Sequence, residues 1–372
     1  MSKILVTGGA GFIGSHIVDR LIADNHQVVV LDNLEPQVHG ADDSLPEYYN
    51  HDARFIKGDV RRIEDIRKAL DGVDVIFHQA AMVGVGQSMY QIRKYTEVST
   101  LGTANLLEAV LERRDQIEKL IVASSMSIYG EGSYTCESCG TVYPPLRSKE
   151  QLQSQEWEMR CPQCAAVVLP LPTAEHKPLE STSIYAITKK DQEEMSLSFG
   201  RAYSIPTVAL RYFNVYGPRQ SLSNPYTGVC AIFSSRIKND NPPILYEDGQ
   251  QSRDFVSVHD IVRANILAME NDDMNYQAFN VGTGTATTVL DVANVLSELY
   301  GKDKKNTVEN KFRAGDIRHC FSDISKIRQY GYTPGISFKE GMQELVEWGK
   351  TVESVDSVEK AQAELAEKGL VT

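Results

Sequence analysis

A short apolar run that breaks into spaced glycines constrains the fold most. Ile4, Leu5 and Val6 predict a strand buried on both faces, and apolar spacing predicts a helix from Ser15 to Ala23. Gly8, Gly11 and Gly14 connect the two. Such glycines allow a tight turn, let the backbone approach a pyrophosphate closely and let helix pack on strand, while free N–H groups at the helix start bind the anion. The segment is therefore a candidate dinucleotide site.

The next apolar run strengthens this interpretation. Gln27-Val-Val-Val-Leu-Asp32 predicts a second buried strand that ends in an acid 18 residues after Gly14. A carboxylate there accepts hydrogen bonds from both ribose hydroxyls and repels a 2′-phosphate, so NAD is favoured over NADP. The alternative is an ordinary strand, turn and helix with a surface acid.

Strand and helix patterns go on alternating through the first half of the chain. Further strands are predicted from Arg54 to Asp59, from Val73 to Ala80 and from Lys119 to Ser125. Repeated units of this kind predict an α/β fold with a doubly wound parallel sheet and a ligand at the carboxyl ends of the strands. Asp59 stands at such an end, where it can meet an adenine amino group; a merely polar strand terminus explains it equally well.

Length, composition and charge limit the functional classes. A chain of 372 residues with 42% hydrophobic and 24% charged residues predicts a globular protein of two domains. Its net charge of −12 argues against nucleic-acid and anionic-membrane partners. No signal peptide is expected, because the first strand begins at Lys3, and no apolar run approaches the roughly 20 residues that span a bilayer. We therefore expect a cytoplasmic protein.

Two cysteine pairs interrupt the pattern. Cys136-Glu-Ser-Cys139 and Cys161-Pro-Gln-Cys164 are separated by 21 residues. Two Cys-x-x-Cys pairs at this spacing are typical of a four-thiolate zinc site, because two residues between the ligands of a pair let one turn present both sulfurs to a tetrahedral ion. Disulfides are disfavoured in the cytosol, and a redox site needs only one pair. The sequence predicts structural zinc.

A tyrosine and a lysine four residues apart follow the insertion. Tyr185 and Lys189 lie one above the other on a predicted helix, where an ammonium beside a phenol lowers the pKa of the phenol. The same spacing joins Tyr90 to Lys94 and Tyr300 to Lys304, which we expect to be solvated helix pairs. The Tyr185 pair differs because it follows a serine-rich strand end that can share a substrate proton.

Several motifs together resemble one family. They are Thr7-Gly-Gly-Ala-Gly-Phe-Ile-Gly14, Leu31-Asp-Asn33, His78-Gln-Ala-Ala81, Ser124-Ser-Met-Ser-Ile-Tyr-Gly130, Tyr185-Ala-Ile-Thr-Lys189, Arg211-Tyr-Phe-Asn214, Asp248-Gly-Gln-Gln-Ser-Arg-Asp-Phe-Val256 and Arg313-Ala-Gly-Asp316. In this order they resemble the extended short-chain dehydrogenase/reductase family, specifically its nucleotide-sugar epimerases and dehydratases.

The resemblance implies a set of site residues. It implies Ser125, Tyr185 and Lys189 as the catalytic set. The NAD-binding residues that it implies are Gly8, Gly11, Phe12, Ile13, Gly14, Asp32, Asn33, Asp59, Val60, Ala80, Ala81, Tyr185, Lys189 and Tyr212. The substrate-binding residues that it implies are Ser125, Ser127, Asn214, Arg253, Arg313 and Asp316.

Departures from the family pattern narrow the expected reaction. Dehydratases of the family carry Asp-Glu after the catalytic hydroxyl residue, and UDP-glucuronate decarboxylases carry Glu at the second position. This chain has Met126-Ser127 there, which resembles the small or hydroxyl residues of 4-epimerases. The four-cysteine insertion resembles the bacterial dTDP-L-rhamnose 4-epimerase group. The alternatives are a UDP-hexose or UDP-hexuronate 4-epimerase and a non-catalytic nucleotide-sugar or NAD sensor. Family analogy also implies a homodimer through helices that begin near Thr96 and Ser183.

We therefore predict a Rossmann-type doubly wound parallel sheet, a smaller α/β substrate domain and a zinc-ribbon-like insertion. The predicted parts are an NAD-binding domain over 1–213 that returns at about 250–282, the cysteine insertion over 131–170, the substrate domain over 214–249 and 283–352, and a terminal helix and tail over 353–372. The apolar stripe of that helix predicts packing or solvation and no chemistry.

Overall fold

The computed structural model of the chain describes residues 1–302, 307–313 and 315–371. Its strands are β1 (Lys3–Thr7), β2 (Gln27–Asp32), β3 (Arg54–Lys57), β4 (Val75–His78), β5 (Lys119–Ser125), β6 (Ser133–Cys136), β7 (Gly140–Val142), β8 (Leu169–Leu171), β9 (Thr207–Tyr212), β10 (Asn214–Tyr216), β11 (Ile244–Leu245), β12 (Ser252–Arg253), β13 (Phe255–Ser257), β14 (Gln277–Val281), β15 (Thr287–Thr288), β16 (Thr307–Val308) and β17 (His319–Cys320).

The α-helices of the same residues are α1 (Phe12–Ala23), α2 (Pro36–His39), α3 (Ile63–Ala69), α4 (Val85–Ser88), α5 (Ile92–Tyr95), α6 (Gly102–Leu111), α7 (Lys149–Gln153), α8 (Ile184–Tyr203), α9 (Val229–Lys238), α10 (Val258–Glu270), α11 (Val289–Tyr300), α12 (Ser325–Arg328), α13 (Phe338–Thr351) and α14 (Val358–Glu367). A π-helix spans Thr96–Leu101, and 3-10 helices span Met126–Tyr129 and Asp272–Met274. Helix α1 begins three residues before the predicted Ser15, because Gly11 already serves as its N-cap. No helix among these residues is long and apolar enough to cross a membrane.

The central sheet has seven parallel strands in the order β14-β9-β5-β4-β1-β2-β3. The order reverses between β1 and β4, and such a switch point opens a crevice at the carboxyl ends of the strands. The predicted doubly wound parallel sheet is confirmed. Both faces of the sheet are buried. Side chains along β1 alternate between the faces, so that Ile4 and Val6 pack into one core and Leu5 into the other.

A second apolar core lies in the later part of the chain. It is formed by helices α9, α11 and α13 with Tyr216 and Phe255. We propose that this core marks the substrate domain predicted over 214–249 and 283–352, while α10 and β14 belong to the NAD-binding domain.

The cysteine insertion forms a small unit of its own. Strands β7, β6 and β8 pair in antiparallel fashion, and a small cluster of buried side chains, including Tyr134 and Met159, packs beside the cysteines. The predicted boundaries, 131–170, stay a proposal.

Candidate active site

A cavity of about 620 Å³ opens at the carboxyl ends of the central strands. It is lined by each residue that the sequence implied for catalysis, cofactor and substrate, namely Gly8, Gly11, Phe12, Ile13, Gly14, Asp32, Asn33, Asp59, Val60, Ala80, Ala81, Ser125, Ser127, Tyr185, Lys189, Tyr212, Asn214, Arg253, Arg313 and Asp316. The fold thus brings together residues that are up to 308 positions apart in the chain.

The glycine turn has the geometry that a dinucleotide needs. A Cβ added to Gly14 would stand 2.2 Å from the carbonyl oxygen of Gly8, so only glycine lets α1 approach β1 this closely. No side chain caps the N-terminus of α1, and its first turn contains no acid. The N–H groups there are therefore free to bind a phosphate. These residues fit NAD.

Two carboxylates stand at neighbouring strand ends on the cofactor side. Asp32 accepts hydrogen bonds from the backbone N–H groups of Ala10 (3.1 Å) and Leu34 (2.9 Å). Burial raises the pKa of Asp32. For Asp59, burial acts in the same direction, but hydrogen bonds from Arg61 outweigh it and lower the pKa. The carboxylate of Asp59 is already bound to that guanidinium, so its predicted contact with adenine remains a prediction.

Ser125 and Tyr185 come from the two segments that flank the insertion. The Ser125 hydroxyl caps the 3-10 helix that follows β5 and lies 3.2 Å from the hydroxyl of Ser127. Tyr185 lies in the first turn of α8, and its backbone N–H donates to the Ser88 hydroxyl at 3.0 Å. Burial raises the pKa of Tyr185, and a hydrogen bond with Ser125 opposes this rise.

Lys189 is held away from solvent beneath this pair. Its ammonium donates to the carbonyl of Ala123 (2.7 Å) and to the side chain of Gln192 (2.9 Å). Burial lowers the pKa of Lys189 to about 7. The expectation of a lowered pKa for Tyr185 is wrong, because the effect of burial on the phenol dominates.

A buried histidine, to which the sequence analysis gave no role, contacts Gln192, the side-chain partner of Lys189. His78 lies between the hydroxyls of Thr7 (2.8 Å) and Thr103 (2.9 Å), and Gln192 contacts its Nε2 at 3.1 Å. Burial, with a smaller effect from Lys189, lowers the pKa of His78 to about 3. The histidine is neutral and supports Gln192. The sequence feature that could have identified Gln192 is its position three residues after Lys189, on the same face of α8.

The opposite part of the cavity carries the two predicted arginines. Arg253 donates to the carbonyls of Ile317 (2.7 Å) and Arg318 (3.0 Å). The Arg313 guanidinium lies 4.4 Å from the ring centre of Tyr246. Burial raises the pKa of Asp316, while both Arg313 and Arg253 act to lower it.

Polar atoms at this end of the cavity are available to a ligand. Among the described residues, buried atoms without a hydrogen-bond partner include Arg313 Nε, Asn214 Oδ1, Gln220 Oε1 and Gln251 Oε1. All four residues line the cavity. Because buried polar groups are normally satisfied, these atoms favour a polar ligand here, one that donates to the three amide oxygens and accepts from Arg313 Nε.

The four predicted metal ligands also converge. The sulfurs of Cys136, Cys139, Cys161 and Cys164 all lie within 4.8 Å of one another. Sulfurs around tetrahedral zinc are about 3.8 Å apart, since each Zn–S bond is about 2.3 Å. Although burial acts to raise it, the pKa of Cys161 is lowered to about 7, mainly by backbone N–H groups of Cys164 and Gln163. The donor set fits zinc.

The other tyrosine and lysine pairs are organised differently. The Tyr90 hydroxyl donates to the Tyr226 hydroxyl at 2.8 Å, and Lys94 forms an ion pair with Glu35 at 2.8 Å. The prediction of a solvated pair is therefore wrong for these two residues. Lys304, the partner predicted for Tyr300, lies outside the described residues.

The terminal helix α14 is the main part of the site that the sequence analysis missed. Val358, Ala361, Gln362 and Leu365 line the cavity. The apolar spacing of Val358, Ala361 and Leu365 predicted a packed or solvated helix with no chemistry, and the sequence contains no signal for the surface on which this face packs.

Comparison with known proteins agrees with this geometry. The model of the NAD dependent epimerase/dehydratase family matches residues 4–151 and 165–282, which together make up more than two thirds of the chain. The gap between the two matches contains Cys161 and Cys164.

Individual relatives match over almost the whole length. The chain is 36% identical over 349 residues to a dTDP-L-rhamnose 4-epimerase of Burkholderia thailandensis, covering 93% of this chain and 94% of that protein. A crystal structure of UDP-glucose 4-epimerase with UDP-glucose from Thermotoga maritima matches with a TM-score of 0.75 and 32% identity, over 94% of this chain and 99% of that one. The Thermus thermophilus UDP-glucose 4-epimerase complex with NAD matches with a TM-score of 0.73 and 31% identity, over 94% and 100%.

Proposed function

Because the chain belongs to the NAD dependent epimerase/dehydratase family, we propose that it interconverts dTDP-L-rhamnose and dTDP-6-deoxy-L-talose through a transient 4-keto sugar. The broader assignment, to the NAD-dependent nucleotide-sugar 4-epimerases, follows from the relatives. One observation carries the proposal: a single cavity joins the glycine turn, Tyr185 with Ser125, and the two arginines.

The residues of the chain divide the chemical work. NAD, when bound at the glycine turn, supplies reversible uptake and return of a hydride. Tyr185 accepts the proton of the C4 hydroxyl, through or beside Ser125, and later returns it. The Ser125 hydroxyl stabilises the charged form of the phenol, since it opposes the effect of burial on the pKa of Tyr185.

Inversion also requires the sugar to turn while the diphosphate stays in place. Planar guanidinium groups bind phosphate oxygens bidentately, a role that we assign to Arg253 and Arg313. With Met126 and Ser127 after the catalytic serine, the site has no acid where dehydratases carry two. A cycle that only removes and restores hydrogen at C4 needs no such acid.

The choice of dTDP-L-rhamnose rests on the Burkholderia relative and on the cysteine insertion. A UDP-hexose or UDP-hexuronate is the alternative substrate, favoured by the similarity to the Thermotoga structure with UDP-glucose. A non-catalytic sensor is the remaining candidate.

We further propose that Cys136, Cys139, Cys161 and Cys164 bind one zinc ion, which stabilises the insertion. We also propose a homodimer in which the π-helix and α8 take part. Leu101 on the first and Ile187 on the second are 46% and 44% exposed, which supports an interface there.

Turnover without added reductant tests the proposed reaction. The protein is incubated with dTDP-L-rhamnose, and the sugar is followed by NMR. Interconversion at C4 with no net change in NADH is expected. Loss of water, release of CO₂ or a stoichiometric demand for NADH would reject the reaction. Activity on UDP-sugars alone would favour the alternative substrate, and binding without turnover of either class would favour the sensor.

A further inference from the structure

Helix α14 lies against the cavity with its apolar face. Ala361 and Leu365 are 6% and 4% exposed and, together with Val358 and Gln362, line the cavity. The start of the helix is attached to the rest of the fold, because Asp356 just before it and Glu359 in its first turn form ion pairs with the buried Arg236 at 3.2 and 2.8 Å. The helix is thus a fixed part of the cavity wall.

One contact of α14 reaches the side of the cavity that carries Arg313. The Gln362 side chain donates to the Tyr246 hydroxyl at 2.8 Å. The ring of Tyr246 is the one on which the Arg313 guanidinium lies. After the helix, Val371 pairs with Arg313 in an antiparallel bridge. This side of α14 therefore lies where we propose that the diphosphate binds.

The other contacts reach the side that carries Tyr185. The Leu365 side chain comes within 3.2 Å of the position that a Cβ of Gly86 would take. Gly86 is two residues from Ser88, whose hydroxyl accepts the backbone N–H of Tyr185. The helix therefore contacts both the Tyr246 side chain that packs on Arg313 and the segment whose Ser88 binds the backbone of Tyr185.

Tyr226 continues the cavity wall beside α14, and its hydroxyl is not available to a ligand. Its hydroxyl proton is donated to Glu364 at 2.7 Å, and its oxygen accepts from Tyr90 at 2.8 Å. The Tyr226 Cβ packs close to Gly84. With its hydroxyl engaged on both sides, Tyr226 presents its ring to the cavity next to Leu365.

The chemistry of a hexose decides which of its edges faces such a wall. C1 carries the diphosphate and C4 lies across the ring, so a wall between their binding groups runs along either the C2–C3 edge or the C5–C6 edge. The C2–C3 edge carries two hydroxyls that need hydrogen-bond partners. Ala361, Leu365 and the ring of Tyr226 supply none, so the C5–C6 edge fits in bound dTDP-L-rhamnose, and the turn of the 4-keto sugar about its C1–C4 axis then carries that edge away from the wall.

We propose that α14 is a wall of the sugar site and that Leu365 makes the enzyme prefer a sugar whose C6 is a methyl group over one whose C6 carries a hydroxyl or a carboxylate. This inference rests on the proposed function and extends it to the sugar. A wall without strong polar contacts also leaves the 4-keto sugar free to turn.

Substitution of Leu365 tests the proposal. The kcat/KM values for dTDP-L-rhamnose and for a dTDP-hexose with a C6 hydroxyl are measured for the wild type, Leu365→Ser and Val355→Ser. The ratio of the two values should fall about tenfold or more in Leu365→Ser, the range for one apolar group in a pocket. Val355, 66% exposed in the same terminal segment, is the matched control, and its ratio should not change.

Further variants keep the test decisive. Leu365→Val removes one methylene with little risk to folding and should lower the ratio by a smaller factor. An unchanged ratio in a folded Leu365 variant would overturn the proposal. If the wild type turns over only UDP-sugars, the proposed function fails separately. The same ratio is then measured with two UDP-hexoses that differ only at C6, and it supports or overturns the role of Leu365 by the same criterion.

Discussion

Replacing Glu247 by glutamine tests a buried charge cluster that joins the cysteine insertion to the segment around Asp316. Glu247 accepts from Arg147 of the insertion at 2.8 and 2.9 Å and from Arg318 at 3.0 Å. The side chains of Arg147, Glu247 and Arg318 are 1%, 1% and 0% exposed. Arg147 also donates to the carbonyl of Asp316 at 3.3 Å, so the cluster supports the substrate site directly.

The expected loss of stability follows from burial. A Glu247→Gln variant keeps the size of the side chain but leaves the Arg147 guanidinium without its carboxylate, while Arg318 keeps its ion pairs with Asp248 (2.7 Å) and Glu158 (2.6 Å). Breaking a buried ion pair in this way costs about 3–5 kcal/mol. The entropy of unfolding is about 2.1 cal/mol/K per residue, or about 0.8 kcal/mol/K for this chain, so Tm should fall by about 4–6 °C.

Calorimetry of the NAD-loaded protein measures this change. The matched control is Glu298→Gln, because Glu298 is 66% exposed in its ion pair with Lys339 and should shift Tm by less than about 1 °C. Adding Arg147→Met to the Glu247→Gln variant should recover part of the loss, since it removes one uncompensated charge. A Glu247→Gln variant that melts within 1 °C of the wild type would refute the reasoning.

Three further predictions concern catalysis, metal and pH. Tyr185→Phe should keep NAD binding and lose at least about a hundredfold in activity, whereas Tyr90→Phe should stay near wild type. Metal analysis should find about one zinc per chain, which Cys161→Ser should remove. The pKa of His78 is about 3 in the folded protein and about 6.5 when unfolded, so the unfolded state takes up the proton first and the free energy of unfolding decreases as pH falls below 6.5. Between pH 7.5 and 5.5 this loss should be about 1.4 kcal/mol, measured by urea unfolding, and His78→Asn should remove that part of the slope.

Each of these predictions has a result that contradicts it. Full activity of Tyr185→Phe with an inactive Tyr90→Phe would show that the wrong pair was chosen. Two disulfides in protein isolated under reducing conditions would exclude the zinc site. An unfolding free energy with the same slope in the wild type and in His78→Asn would show that His78 is not the group responsible.

The parts of the fold that depend on local pattern were predictable from the sequence. Strands β2 and β5 have the predicted bounds, because uninterrupted apolar runs have few alternatives to burial on both faces of a sheet. The glycine spacing likewise predicted the tight turn and the helix start, and Asp32 predicted the end of a strand. All three are local features of the chain. The cysteine pairs were predictable for the same reason, because the spacing of the two ligands in each pair is set within one turn.

Features that depend on distant packing were not predictable in this way. The pKa of Tyr185 was expected to fall because Lys189 is four residues away, but burial by other elements decides its direction. The apolar stripe of α14 contained no information about Gly86 or Tyr226, which are more than 130 positions earlier. The cluster of Arg147, Glu247 and Arg318 joins three separate segments, each of which has only ordinary surface charges in sequence.

The position of the insertion between Ser125 and Tyr185 raises the question of how the two catalytic residues stay in register. The chain comes back to its starting point ten residues after the predicted end of the insertion: Gly130 has a φ of +66°, and a Cβ there would stand 2.2 Å from the carbonyl oxygen of Glu180. The chain therefore leaves and returns at nearly one point, and loop-closure entropy grows only slowly with the length in between, by about 0.6 kcal/mol per doubling. The insertion also has its own small core, and Arg147 attaches it to the segment around Asp316 rather than to Ser125 or Tyr185. A folded unit can thus be accommodated between a proton-sharing serine and its tyrosine, with Gly130 as the residue that lets the two chain segments approach each other closely.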